Sequence, residues 1–156
     1  MRREPGVQPT SSWAVRHIAS NLRDADRQEL LAVRGEDADI TDVLFDCVKL
    51  SDWTLTGYDG DEPICIFGVG PGLQHEQGSP WMLGTKGIER IPKTFLKISK
   101  QMIVKMHETY PLLTNFVLKA NTVHLRYIKF LGFELGDEYE INGEPFIHFS
   151  RYQPHV

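Results

Sequence analysis

Along the chain the spacing of apolar residues switches between two and about three and a half, and each switch marks an element. Residues 1–12 hold two prolines, a glycine and three hydroxyl residues without an apolar period. They predict a flexible arm ahead of a single domain over 13–156. Residues 13–18 (WAVRHI) read as a first strand, with Trp13, Val15 and His17 on one face. Residues 24–33 read as a helix, with Asp26 and Glu29 spaced as a capping box and Gly35 as its stop. A second helix starts at Thr41 and places Val43, Leu44, Cys47, Val48 and Leu50 on one face. The period then shortens. Residues 53–58 alternate, Asp59-Gly60 marks a turn, and 63–69 (PICIFGV) form the nearly continuous apolar run of a central strand. Residues 70–80 read as a loop and 81–85 as a short strand.

Residues 88–110 carry the longest helical period, through Ile88, Ile91, Phe95, Ile98 and Met102, with Pro92 near the start. Lys86, Arg90, Lys93, Lys97 and Lys100 repeat with the same steps, shifted by two residues. That shift puts a basic stripe opposite the apolar one. Residues 112–118 form a strand, Asn121 caps a helix over 122–131, and Gly132 stops it. Asn142-Gly143 joins strands 133–141 and 144–152 as a hairpin. The order is β-α-α-β-β-β-α-β-α-β-β, an α/β domain whose mixed central sheet has helices on both faces.

Composition narrows the chemistry. The 17 basic and 21 acidic side chains give a net charge of −4, which argues against a whole-protein clamp on nucleic acid. Binding through the basic stripe alone stays open. Cys47 and Cys65 sit in apolar runs, as reduced core cysteines do, and neither they nor the six histidines have metal-ligand spacing. No metal site is expected. No apolar run approaches membrane-spanning length, and no signal segment is evident, which points to a reducing cytoplasm. The glycines of Gly68-Val-Gly70-Pro-Gly72 precede no helix and read as a loop rather than a phosphate cradle.

The element order resembles the GNAT superfamily of N-acetyltransferases, and so do two segments. Asn121 to Gly132-Phe133 is similar to that superfamily's late helix, and Asn21-Leu-Arg with Asp26 to its first strand-to-helix junction. A narrower resemblance covers residues 81–110, then Asn121-Thr with His124 and Arg126, then Gly132 with Glu138-Tyr139. These resemble the gene-thirteen internal virion and assembly proteins of T7-like tailed phages, described as GNAT-like. Typical acetyltransferases carry a small residue at the position of His124.

The resemblance implies acetyl-CoA as coenzyme. The backbone of Met82, Leu83 and Gly84 would hold its pantetheine arm. Gly87 and Arg90 lie in the pyrophosphate loop, and Asn121 heads the late helix. The superfamily's loop carries two small residues, whereas Thr85 to Lys93 offers one glycine, a bulky Ile88 and Pro92, which has no N–H to give. The acid tyrosine of the superfamily falls at Ile128, and Tyr127 stands one residue earlier, about 100° around the helix. Tyr127 and Glu62 are the catalytic candidates, with His75 and Glu76 as further candidate bases in the long loop. His124 reads as a buried hydrogen-bonded histidine, an interface residue or a phosphate contact.

Three functions follow as expectations. One is a tailed-phage protein of virion assembly or of the virion interior, in the host cytoplasm or virion, with other phage proteins as partners and a degenerate acetyl-CoA site. Another is an active N-acetyltransferase using acetyl-CoA on a protein or small-molecule amine. The third is a coenzyme- or nucleic-acid-binding module carried by Lys86, Arg90 and Lys93.

Overall fold

The computed structural model describes residues 6–154. Seven strands form one sheet: β1 (Gly6–Pro9), β2 (Trp53–Asp59), β3 (Glu62–Pro71), β4 (Gln77–Gly84), β5 (Leu112–Leu118), β6 (Glu134–Ile141) and β7 (Glu144–Tyr152). Their spatial order is β1-β2-β3-β4-β5-β7-β6. Five helices cover it: α1 (Ser12–Ser20), α2 (Asp24–Arg34), α3 (Ile40–Leu50), α4 (Pro92–Thr109) and α5 (Thr122–Phe130).

Alternation along the central strands builds two cores. Ile66 and Leu83 face Val15, Ile18, Ile40 and Leu44 beneath α1 and α3. Phe67, Val69 and Met82 face Phe95, Met102, Ile103 and Ile128 beneath α4 and α5. A sheet buried on both faces explains the continuous apolar run in β3.

Every neighbouring pair is antiparallel except β4 and β5. That parallel ladder holds only Gln77↔Leu112 and Gly78↔Leu113. Beyond it the two strands run on without pairing, to Gly84 and to Leu118. The cleft so opened in mid-sheet positions the site.

The start of the chain differs from expectation. Residues 13–18 are helical, because Ser11 caps α1 by accepting from the Ala14 N–H at 3.1 Å. Ala14, Val15, Ile18 and Ala19 are buried while Trp13 is exposed, a helical period that a six-residue window does not separate from a strand. The first strand is β1, inside the segment expected to be an arm; residues 1–5 of that segment lie outside the described residues. It pairs with β2 from Gly6↔Tyr58 to Pro9↔Leu55. The order is thus β-α-α-α-β-β-β-α-β-α-β-β.

Residues 70–80 are mostly strand, with only 72–76 between β3 and β4. Their glycines belong to packing. A Cβ on Gly78 would lie 2.4 Å from the Tyr110 ring. Residues 88–110 divide into a 3-10 turn (Lys86–Arg90) and α4, broken at Ile91 (φ −134°, ψ 53°) ahead of Pro92. The N-cap of α3 is Asp39 rather than Thr41. The hairpin of β6 and β7 turns at Asn142 (φ 51°) and Gly143 (φ 83°), as its sequence predicts.

Candidate functional site

Helix α2 lies across the β4–β5 cleft and sets one carboxylate on each bank. The Gly84 N–H, at the end of β4, donates to Asp26 Oδ2 at 3.1 Å. The Leu118 N–H, at the end of β5, donates to Glu29 Oε1 at 2.7 Å. Residues i and i+3 share a helix face, so one turn spans the gap. Arg23 holds Asp26 from Nε (3.0 Å) and Nη2 (2.9 Å). Further along, Asn115 of β5 reaches the Pro80 carbonyl of β4 at 2.8 Å. The unpaired edges are thus partly satisfied from within the chain.

Enclosure pushes the Glu29 carboxyl up to about 7. The Leu118 N–H opposes this, Asp26 adds to it, and the side chain of Asn121 and Arg23 pull the other way. Glu29 therefore exchanges a proton near neutrality. His124 of α5 is buried, which pulls its imidazole down to about 4 and leaves it neutral. Its Nδ1 is buried without a hydrogen-bond partner among the described residues.

His124 lines two cavities. One, of about 430 Å³, lies against α2 and α3 and is lined by Glu29, Trp81, Met82, Asn115 and Phe116 among others. The other, on the α4–α5 side, is about 30 Å³ and is walled by Ser99, Met102, Met106, Tyr127 and Ile128. That is room for about two water molecules.

Tyr127 does not present a proton to the cleft. Its hydroxyl donates to Ser99 Oγ at 2.7 Å, its ring stacks 5.3 Å from Phe95, and burial raises its pKa. Glu62 is not a free base. It pairs with Arg90 Nη2, Arg90 Nε holds Asp59 at 3.0 Å, and His17 Nε2 lies 3.6 Å from Glu62. Neither Glu62 nor Arg90 lines either cavity. His75 and Glu76 are exposed in the short β3–β4 loop and also line neither.

The coenzyme-holding residues fare differently from one another. Met82 and Leu83 line the larger cavity. Gly84 has its N–H taken by Asp26, and its carbonyl accepts from the Arg23 N–H at 2.9 Å. Asn121 caps α5, accepting from the His124 N–H at 3.2 Å. The Gly87 N–H donates to Thr85 Oγ1 at 3.0 Å, Ile88 N–H to the Thr85 carbonyl and Ile91 N–H to the Ile88 carbonyl. A Cβ on Gly87 would sit 2.4 Å from Ile64 Cγ2, so this glycine serves packing rather than phosphate approach. A pyrophosphate cradle needs outward amides. With three amides turned inward and none on Pro92, this segment offers a pyrophosphate fewer donors than a regular cradle does, and the first-turn amides of α4 after Pro92 are the ones left to hold it.

The capping box expected of Asp26 and Glu29 does not form: α2 begins after Arg23, which makes no side-chain cap, and Asp26 lies inside the first turn with its carboxylate on Gly84 and Arg23. A signal for the site was present in the spacing: 26, 29 and 30 are i, i+3 and i+4 on one helix face, and two of those three residues are acidic.

No protein-family model and no curated sequence matches the chain. Solved structures match throughout its length. Ribosomal-protein-alanine N-acetyltransferase from Brucella melitensis superposes with a TM-score of 0.71 at 10% identity, over 95% of this chain and 99% of that one. A GNAT-family acetyltransferase from Bacillus anthracis gives 0.68 at 5% identity, over 97% and 96%. AAC(6')-Ib in complex with ribostamycin and coenzyme A gives 0.69 at 10% identity, over 97% and 94%. At such identities the likeness is one of backbone path, and with its splayed β4–β5 cleft between two helical layers this chain has the GNAT acetyltransferase fold.

Proposed function

We propose that this chain uses the GNAT fold as a scaffold in a tailed phage, in virion assembly or as an internal virion component, with a degenerate acetyl-CoA site. The narrowness of the slot on the α4–α5 side carries the reading. At about 30 Å³ it is small for an extended thiol arm, and His124 lines both it and the larger cavity. The inward amides of residues 87, 88 and 91 support it, as does the resemblance of residues 81–139 to the phage family. Host cytoplasm and virion are the locations, and other virion proteins the partners, that this reading entails.

A second reading has its own support. Glu29, poised near neutrality beside a 430 Å³ cavity, is placed to take a proton from an amine. An active N-acetyltransferase would use it so, in place of the Glu62 and Tyr127 pair.

Calorimetric titration of the purified chain with acetyl-CoA separates the two. No heat at near-millimolar ligand is expected, together with copurification of the chain with virion proteins. Micromolar binding would overturn the degenerate-site reading. Coenzyme A release that requires an amine and is lost in Glu29→Gln would establish the second.

A further inference from the structure

Charge is segregated on this molecule. Helices α4 and α5 lie side by side, with Lys100 Nζ 4.6 Å from the Phe130 ring centroid. Their outer face carries Lys93, Lys97, Lys100, Arg126 and Lys129, all exposed and none in an ion pair among the described residues. Neither helix has an acidic residue in its first turn, where the macrodipole favours one, and Lys93 stands there instead. Local helix stability does not explain that choice. Phe130, Val104 and Val123 are exposed on the same two helices, at 46%, 60% and 50%.

The opposite charge lies on the sheet edge. Strand β6 is the last in the sheet and has a neighbour on one side only. Glu134, Asp137, Glu138 and Glu140 on the strand, and Glu144 after the turn, are all exposed. Tyr139 among them is 50% exposed. Among the described residues only Glu138 has a basic partner, Lys119 at 3.3 Å. Acidic side chains on an edge deter unspecific strand addition. Here they also have a complement. Lys93 to Lys100 covers about 10 Å along a helix axis, and Asp137 to Glu140 covers about 10 Å along a strand. Each surface adds exposed apolar groups to its charges, the composition of a contact with an apolar centre and polar rim.

We propose that the acidic β6 edge of one copy docks on the basic α4–α5 face of a second copy. The two surfaces differ, so the contact is heterologous, and repetition gives a ring or a filament. It does not depend on whether the cleft binds a coenzyme.

Sedimentation velocity on the full chain tests it with two charge reversals, Lys93→Glu with Lys97→Glu, and Asp137→Lys with Glu140→Lys. All four positions are exposed, and unchanged melting temperatures verify folding. Wild-type mass is expected to rise with concentration at ~50 mM salt and to return to monomer at ~500 mM. Each reversed protein is expected to stay monomeric, with association weakened about tenfold or more. Mixed in equal amounts they are expected to associate again, because each supplies the other's complement. A wild type that stays monomeric at low salt would overturn the proposal. So would reversed proteins that associate like wild type. A monomer that binds heparin or single-stranded DNA through Lys93 and Lys97 would overturn it too, in favour of a polyanion on that face.

Discussion

At the scale of the residue, Glu29 and His124 are tuned in opposite directions by the same cause, enclosure away from water. Their effects on stability oppose each other. The folded carboxyl of Glu29, near 7 against an ordinary 4.5, binds a proton that the unfolded chain has released. Its contribution is full below pH 4.5 and is lost as pH rises through 7. The folded imidazole of His124, near 4 against 6.5, is neutral where the unfolded one is charged. Its contribution is present above pH 6.5 and is lost as pH falls toward 4. Each amounts to a few kcal/mol, so wild-type stability is expected to change little between pH 4.5 and 6.5. Single variants expose the two slopes. Glu29→Gln, which keeps an acceptor for the Leu118 N–H, is expected to gain stability with rising pH across that window. His124→Gln is expected to lose it. Urea midpoints at pH 4.5 and 6.5 check both, and slopes of the same sign would refute the assignment.

Elements depend on positions where the chain must come close to itself. A Cβ on Gly68 of β3 would meet the Trp81 indole at 2.5 Å. That ring is anchored, because Trp81 Nε1 donates to Ser51 Oγ at 2.8 Å and Ser51 Oγ to the Cys47 carbonyl at 2.7 Å. Gly68→Ala is therefore expected to push the indole off its partner, loosen the C-terminal end of α3 and cost about 1–3 kcal/mol. Gly6→Ala is the control: nothing lies within 4 Å of its added methyl. Denaturation midpoints of the two variants give the comparison. The same closeness hid the facing ends of β3 and β4, within residues 70–80, while their centres were legible as strands. The glycines of those ends read as loop, whereas Gly78 makes room for the Tyr110 ring and Gly70 for the backbone of Leu50. The elements from β5 to β7 were legible because each carries its own boundary signal. Asn121 caps α5 by accepting a backbone N–H, and Asn142-Gly143 adopts the positive φ angles of a tight hairpin. Strand β1 has no such signal. Its four residues are defined only by the ladder they make with β2.

For the whole molecule, β1 caps an edge that β2 would otherwise expose. Thr54 and Thr56 of β2 also donate to Thr10 Oγ1, at 2.9 and 3.0 Å. Removing residues 1–9 is expected to keep the fold, to cost about 1 kcal/mol and to raise aggregation through the bared strand. Circular dichroism and light scattering measure the two effects, and loss of the fold would contradict them. The sequence by itself determined the α/β class, the helical layers on both faces of a mixed sheet, the late hairpin and the Lys93, Lys97 and Lys100 part of the basic stripe; Lys86 and Arg90 fall in the separate 3-10 turn, where Arg90 pairs with Asp59 and Glu62. Those features are local in origin: periods, caps and turn residues act over a few positions. The tertiary structure alone decided the site. Asp26 and Glu29 meet Gly84 and Leu118, 58 and 89 residues away in the chain. Glu62 is neutralised by Arg90, 28 residues on. The identities of Tyr127 and His124 do not say that the first points at Ser99 or that the second lines two cavities. Charge pairing and exclusion of water depend on what folding brings within a few ångströms, and no local pattern in the chain encodes that distance.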